Sequence, residues 1–143
     1  MINADTRLVY PENAKSEAYR TYLEEIEAAK ECPFCEAYLM KWKKIPPIKT
    51  GKYWLVVPLD FPHENADVHF MFIAKKHVTD IDELPTKAEN ELFRLRRWLK
   101  KKYKLKYGTI LMRSGGPETG QTVTHLHAQL VKAKKGVIVL TRI

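Results

Sequence analysis

Disulfide chemistry has almost nothing to work with in this chain. Its 143 residues include two cysteines, Cys32 and Cys35, at a spacing too tight to staple a fold but natural for a shared metal ion. Long apolar runs are missing too: no stretch approaches the ~18 residues needed to cross a bilayer. The first ten residues, Met1 to Tyr10, carry acid and amide groups and lack the apolar core of a secretion signal. No internal repeat, low-complexity tract or dividing linker interrupts the chain. These absences lead us to expect a soluble cytoplasmic protein without a membrane partner, forming one domain over residues 1–143.

What is present supports a folded enzyme-sized domain. Hydrophobic residues make up 45% of the chain, enough for a core that needs no disulfides. The formal net charge of +8 arises largely between Arg94 and Lys106 and between Lys132 and Arg142, and it would attract phosphate-bearing partners. The field does not name the partner. A solvated basic helix face is the alternative to a nucleic-acid footprint, and nucleic acid is possible without being favoured.

Periodicity supplies the elements. Ala18, Tyr22, Leu23, Ile26 and Ala29 fall at helical spacing within residues 13–30, opposite Glu24, Glu25, Glu27 and Lys30. Pro33 cannot comfortably continue that helix, so the cysteine pair belongs to a turn or knuckle. Residues 37–44 are ambiguous. Residues 53–57 and 68–73, rich in aromatic and β-branched side chains, predict two antiparallel strands joined by a polar loop. A capped turn at 79–84 precedes a second amphipathic helix, from 85 to about 103. Further strands are expected at 107–112, 123–131 and 137–142. Short connections favour an α+β fold with an antiparallel sheet over parallel crossovers.

Chemistry concentrates in Thr124-His125-Leu126-His127-Ala128-Gln129-Leu130, where polar and apolar groups alternate. In a strand that period predicts His125, His127 and Gln129 in a row on one face, about 6.5 Å apart. One imidazole could attack a phosphorus while its neighbours hold oxygens or a metal. A half-exposed strand that happens to carry two histidines is the plainer alternative. The preceding segment, Ser114 to Thr122, offers three glycines whose backbone can turn N–H groups toward an anion, with hydroxyls beside the histidine strand.

The segment GQTVTHLHAQLV, from Gly120 to Val131, resembles the signature of the histidine triad (HIT) superfamily. The loop GPETGQTV is similar to that of the fragile histidine triad proteins, and HFMFIAKKH, from His69 to His77, resembles a second family strand, with alanine where proline is usual. The similarity reaches from about Cys32 to Val131. It implies a HIT-like fold: about five antiparallel strands and two main helices. It also implies a nucleotide-binding enzyme in which His127 attacks the α-phosphorus, forming a nucleotidyl-histidine that an acceptor resolves. The third triad position is Gln129, as in the galactose-1-phosphate uridylyltransferase and diadenosine polyphosphate phosphorylase branch, whose members transfer the nucleotidyl group. A neutral amide can donate hydrogen bonds to phosphoryl oxygens but cannot hand a proton to a poor leaving group. Transfer to phosphate-type acceptors is therefore favoured over hydrolysis.

Around that nucleophile the resemblance implies catalytic roles for Gln129 and for His69, which would orient the triad; a packed strand histidine is the alternative for His69. Ser114, Gly120, Gln121 and Thr122 are candidates for the phosphate cradle, and Asp60 for the ribose hydroxyls, unless it caps a turn. The C-x2-C spacing of Cys32 and Cys35 suits a zinc knuckle. The resemblance completes the ligand set with His77 and His125, making a closed, structural zinc site; two reduced, buried thiols are the alternative. A homodimer paired through helices and edge strands is also implied. A zinc-stabilised nucleotide- or nucleic-acid-binding module without chemistry is the rival class, and plain hydrolysis of phosphoramidates or dinucleoside polyphosphates the rival within enzymes.

Overall fold

A computed structural model describes residues 7–139. Five strands form one antiparallel sheet: β1 (Lys49–Thr50), β2 (Trp54–Pro58), β3 (Ala66–Ala74), β4 (Thr109–Met112) and β5 (His127–Ala133), in the order β1-β2-β3-β5-β4. Three helices accompany it: α1 (Glu17–Ala29), α2 (Glu36–Trp42) and α3 (Thr86–Lys102). The fold is α+β, as expected. Among the described residues no helix is long and apolar enough to cross a membrane.

Local chemistry explains most boundaries. Ser16 caps α1 by accepting the Tyr19 N–H at 3.2 Å, and Lys30 closes it in the left-handed region at φ 56°. The turn before α3 is held by a capping box between Asp80 and Glu83. In β3, alternate residues serve two cores. Phe70, Phe72 and Ala74 join Trp54, Val56, Leu126, Ala128 and Leu130 under the α3 residues Leu92, Leu95 and Leu99. Met71 and Ile73 face the other way, with Val57, against Leu23, Ile26, Cys32, Phe34 and Leu39.

The structure adds to or changes the expectations at four places. Across most of the stretch left ambiguous in sequence, Glu36–Trp42 form the short helix α2, which buries Leu39 and accompanies the two main helices, α1 and α3. The two-residue edge strand β1 was not anticipated; both its residues are exposed, so it carries no apolar alternation. Residues 137–139 form no strand, and 140–142 lie outside the described residues. Most consequential, β5 starts at His127, not at 123. The backbone just upstream is captured by other partners: Tyr10 N–H donates to Thr122 O, Thr124 N–H to Leu8 O, and Leu126 N–H to Val78 O. An N-terminal segment and the chain after β3 thus pull residues 122–126 out of the sheet.

Glu91 shows how α3 is locked to the sheet. Its buried carboxylate accepts the backbone N–H groups of Lys52, Tyr53 and Trp54 at 2.7, 2.7 and 3.0 Å. A Cβ on Gly51 would sit 2.6 Å from one of its oxygens, so the turn needs glycine there. Replacing Glu91 with alanine strands these donors, and we expect a loss of about 3 kcal/mol. Urea unfolding at an unchanged m-value would measure it; a loss below about 1 kcal/mol would mean that water serves the donors equally well.

Candidate active site and metal centre

Strand parity puts His127, Gln129 and Val131 on the sheet face away from α3, since Leu126, Ala128 and Leu130 belong to the core beneath that helix. His127 Nδ1 lies 2.9 Å from the carbonyl oxygen of His125. A carbonyl only accepts, so Nδ1 carries the proton and the lone pair sits on Nε2. Burial lowers the basicity of this ring, opposed by the His125 carbonyl and reinforced by the positive charge of Arg113. The edge of Phe34 packs against it, ring centroids 5.0 Å apart. The result is a neutral imidazole with its nucleophilic nitrogen defined.

A second chain of hydrogen bonds defines Gln129. The backbone N–H of His63 donates to His69 Nδ1 at 3.0 Å, so the proton of His69 resides on Nε2. That Nε2–H donates to Gln129 Oε1 at 2.7 Å. Burial keeps His69 neutral by lowering its pKa. With its oxygen engaged, Gln129 has its amide N–H groups left for another acceptor. His63, in the loop before β3, is half-buried, and its backbone starts this chain.

These groups line a cleft of about 1040 Å³. At one end Tyr19, Tyr22 and Phe61 cluster, with centroids 5.1–6.2 Å apart. The loop before β5 forms another wall through Thr119, Gly120, Gln121 and Thr122. Gly115, Gly116 and Gly120 all have positive φ, so backbone turns here that other residues rarely adopt. Thr122 Oγ1 lies 2.9 Å from the Tyr19 hydroxyl. Gln121 is 3% exposed, and neither end of its side-chain amide has a hydrogen-bond partner among the described residues. Such a buried amide calls for one.

Two candidates sit elsewhere. Ser114 does not line the cleft: its hydroxyl accepts the Ile81 N–H at 2.8 Å and donates to Asp80 at 3.1 Å, bracing the turn before α3. Asp60 borders the cleft, but its oxygens are engaged by Lys43 Nζ at 3.1 Å and by the Lys44 and Ile45 backbone N–H groups. It closes the turn after α2, the turn-capping alternative. Sequence reasoning missed Arg113 and the Tyr19–Phe61 platform. Arg113, two residues beyond Leu111, has the parity of the site face; Tyr19 precedes Tyr22 by one helical turn.

His125, expected both in the row with His127 and among the metal ligands, is fully buried beside the cysteines and packs, like His127, against Phe34. Its Nδ1 is 3.5 Å from Cys32 Sγ and 3.6 Å from Cys35 Sγ, and Cys35 Sγ is 3.0 Å from His77 Nδ1. The four ligand atoms all lie within 4.8 Å of one another. Tetrahedral zinc, with bonds of 2.0–2.3 Å, spaces its ligand atoms about 3.5 Å apart, so the set fits. His125 Nε2–H donates to Ala74 O at 2.5 Å, which leaves Nδ1 as the ligating nitrogen. Burial pushes the Cys32 thiol up to about 12 and the His125 imidazole down to about 4, so neither ionises alone. A dication with two thiolates is neutral overall, and burial does not oppose it.

Comparison with known proteins agrees with this picture. The family described as "HIT domain" matches residues 52–136. A histidine triad nucleotide-binding protein from Candida albicans shares the fold at 19% identity, with 79% of this chain and 85% of that one covered and a TM-score of 0.61. A zinc-bound histidine triad family protein from Mycobacterium smegmatis aligns at 18% identity over 70% of this chain and 73% of that one, TM-score 0.55. A HIT family hydrolase from Clostridium thermocellum aligns at 19% identity over 71% and 91%, TM-score 0.53. At these identities the likeness is one of fold. No curated protein matches the sequence significantly.

If the four ligands hold zinc, the purified chain contains about one equivalent by elemental analysis, and Cys32→Ser loses it. Thermal unfolding should then fall by roughly 10 °C or more, because metal binding adds to folding free energy. A metal-free wild type with the same melting temperature as the variant would leave the cluster as packed thiols.

Proposed function

Because this chain belongs to the HIT domain family, we propose that it is a nucleotidyl-transferring enzyme whose nucleophile is His127. One observation carries the proposal: the His125 carbonyl holds the Nδ1 proton at 2.9 Å, so Nε2 of a neutral ring is the atom left to react. In the proposed step Nε2 bonds to the α-phosphorus of a nucleotide while the bond to the leaving oxygen breaks in line. The leaving group departs with the electron pair, and a nucleotidyl-histidine remains. A phosphate-type acceptor or water then attacks the same phosphorus and releases the ring.

The neighbours divide the remaining work. Gln129, its oxygen held by His69, offers N–H donors to a phosphoryl oxygen. The unpartnered Gln121 amide and the Thr122 hydroxyl supply further donors on the loop side, where the Gly120 N–H is already given to the Pro117 carbonyl. None of these groups readily surrenders a proton, which favours leaving groups stable as anions, such as phosphate or pyrophosphate oxygens. The aromatic platform of Tyr19 and Phe61 suits a base. Cys32, Cys35, His77 and His125 would hold zinc, whose chemistry here is structural: it ties the turn before α2 to the segment that carries the His125 carbonyl. A homodimer belongs to the same proposal, with β4 as the free edge that a second copy could extend.

Brief mixing with α-labelled nucleoside triphosphate should leave an acid-labile, alkali-stable label on the chain. His127→Ala should abolish the label and reduce turnover by at least ~10³-fold. Gln129→Ala should keep the label but slow its formation by roughly 10²-fold, the loss of one preorganised donor. Added inorganic phosphate should convert a nucleoside monophosphate product into a diphosphate; an unchanged product would assign hydrolysis, and a label surviving in His127→Ala would remove the nucleophile.

A further inference from the structure

Helix α3 carries a feature that chemistry in the cleft does not use. Its buried stripe packs on the sheet, while Lys87, Arg94, Arg97 and Lys101, at steps of seven, three and four, are all exposed. Those spacings place the four cations on one helical face. Beside them the Trp98 ring has the ammonium groups of Lys49 and Lys102 over it, at 5.2 and 4.8 Å. Toward the start of α3 the stripe borders a shallow groove lined by Lys52, Tyr53, Lys87, Asn90 and Arg94. Tyr103, 40% exposed, stands at the far end with Lys102 5.8 Å from its ring centroid.

Among the described residues no ion pair answers this charge. Between Leu92 and Lys106 there are eight lysines and arginines and no aspartate or glutamate. The neighbouring acid, Glu91, is buried with its carboxylate given to three backbone N–H groups. None of the ion pairs among the described residues includes a residue of α3. Charge is also segregated along the chain: residues 1–36 hold eight acids and four bases, residues 37–143 nine acids and 21 bases. Like charges three or four apart destabilise a helix, so the stripe weakens the isolated fold.

We propose that this face of α3, with Lys49 and Lys52, docks single-stranded nucleic acid by its phosphates. From Lys87 to Lys101 the stripe spans about 21 Å at 1.5 Å per residue, room for about four successive phosphates of an extended single strand. Trp98 and Tyr103 place aromatic rings among the cations, the combination that holds unpaired bases without reading their sequence. A second copy of this chain is a poor occupant, because it would set one basic stripe against another. The surface lies across the sheet from His127, so it acts independently of the nucleotide cleft.

Fluorescence anisotropy with a fluorescein-labelled 20-nucleotide oligouridine tests this on the full chain. Affinity should fall roughly fifty-fold between 50 and 200 mM salt, as expected for about four neutralised phosphates on a single strand. Arg94→Glu with Lys101→Glu should weaken binding at least tenfold while thermal unfolding and nucleotide turnover stay near wild type. If that pair perturbs folding, Arg94→Gln with Lys101→Gln serves, with at least a threefold loss. Lys134→Glu with Lys135→Glu, the same change in net charge elsewhere, should alter binding less than twofold. Equal losses from both reversals would reduce the effect to net charge and overturn the proposal. So would displacement of the oligomer by excess AMP, tighter binding to a 20-base-pair duplex, or a sedimenting dimer that the α3 reversal dissociates.

Discussion

His125 is the residue through which the two halves of the site are joined. Its ring is immobilised at both nitrogens: Nε2–H on the Ala74 carbonyl, Nδ1 facing Cys32 and Cys35. Its carbonyl, two residues before the nucleophile's own backbone direction is set by β5, accepts the Nδ1 proton of His127. The planar peptide unit that carries this carbonyl also carries the Leu126 N–H, which donates to the Val78 carbonyl, next in the chain to His77. The tautomer of His127 therefore depends on the packing of a cluster that it does not belong to. A metal in that cluster would add to what holds this carbonyl in place.

This joint was half legible in the sequence. The alternation from Thr124 to Leu130 put His127 and Gln129 on one face, because parity along a strand is a local property. The same alternation put His125 in their row, and the parity holds, since Leu126 joins Ala128 and Leu130 under α3; what it did not show is that the strand begins at His127, with the backbone upstream bonded to Leu8, Tyr10 and Val78. Partners that lie about fifty to a hundred residues away leave no trace in a local period. The cysteine spacing was readable alone, whereas His77 and His125 entered through family resemblance. Ser114 and Asp60 were chosen as polar loop residues near glycines and turns; whether such groups face a ligand or the chain's own N–H groups is decided by tertiary folding. The antiparallel α+β class was secure because strand composition and short connections agreed.

The substitution of glutamine for a third histidine has its own supporting structure. Amide oxygen and nitrogen are hard to tell apart except by their partners. Here the order is set from the backbone outward: His63 N–H to His69, His69 Nε2–H to Gln129 Oε1. Every donor in that chain points one way, and it ends on N–H groups at the cleft. A histidine at 129 could place a proton there to be given up, whereas the amide places a dipole. The chain thus converts a possible proton relay into a fixed electrostatic device, which lowers a barrier only where charge accumulates on oxygen that needs no proton.

Because β5 alternates between faces, one strand separates two electrostatic environments. His127 and Gln129 look into a cleft lined by polar and charged groups of both signs, while Ala128 and Leu130 support the helix that bears the basic stripe. A helix axis packs about 10 Å from a sheet, roughly one Debye length at physiological salt. At that range the cations of α3 add little to a charge developing at phosphorus. What they can do is raise the local concentration of phosphate-bearing molecules, an effect on encounter that salt removes. Stabilisation of the reacting group must then come from groups in contact with it, and Arg113, whose charge already bears on His127, is the one cation placed in the cleft by the same strand parity.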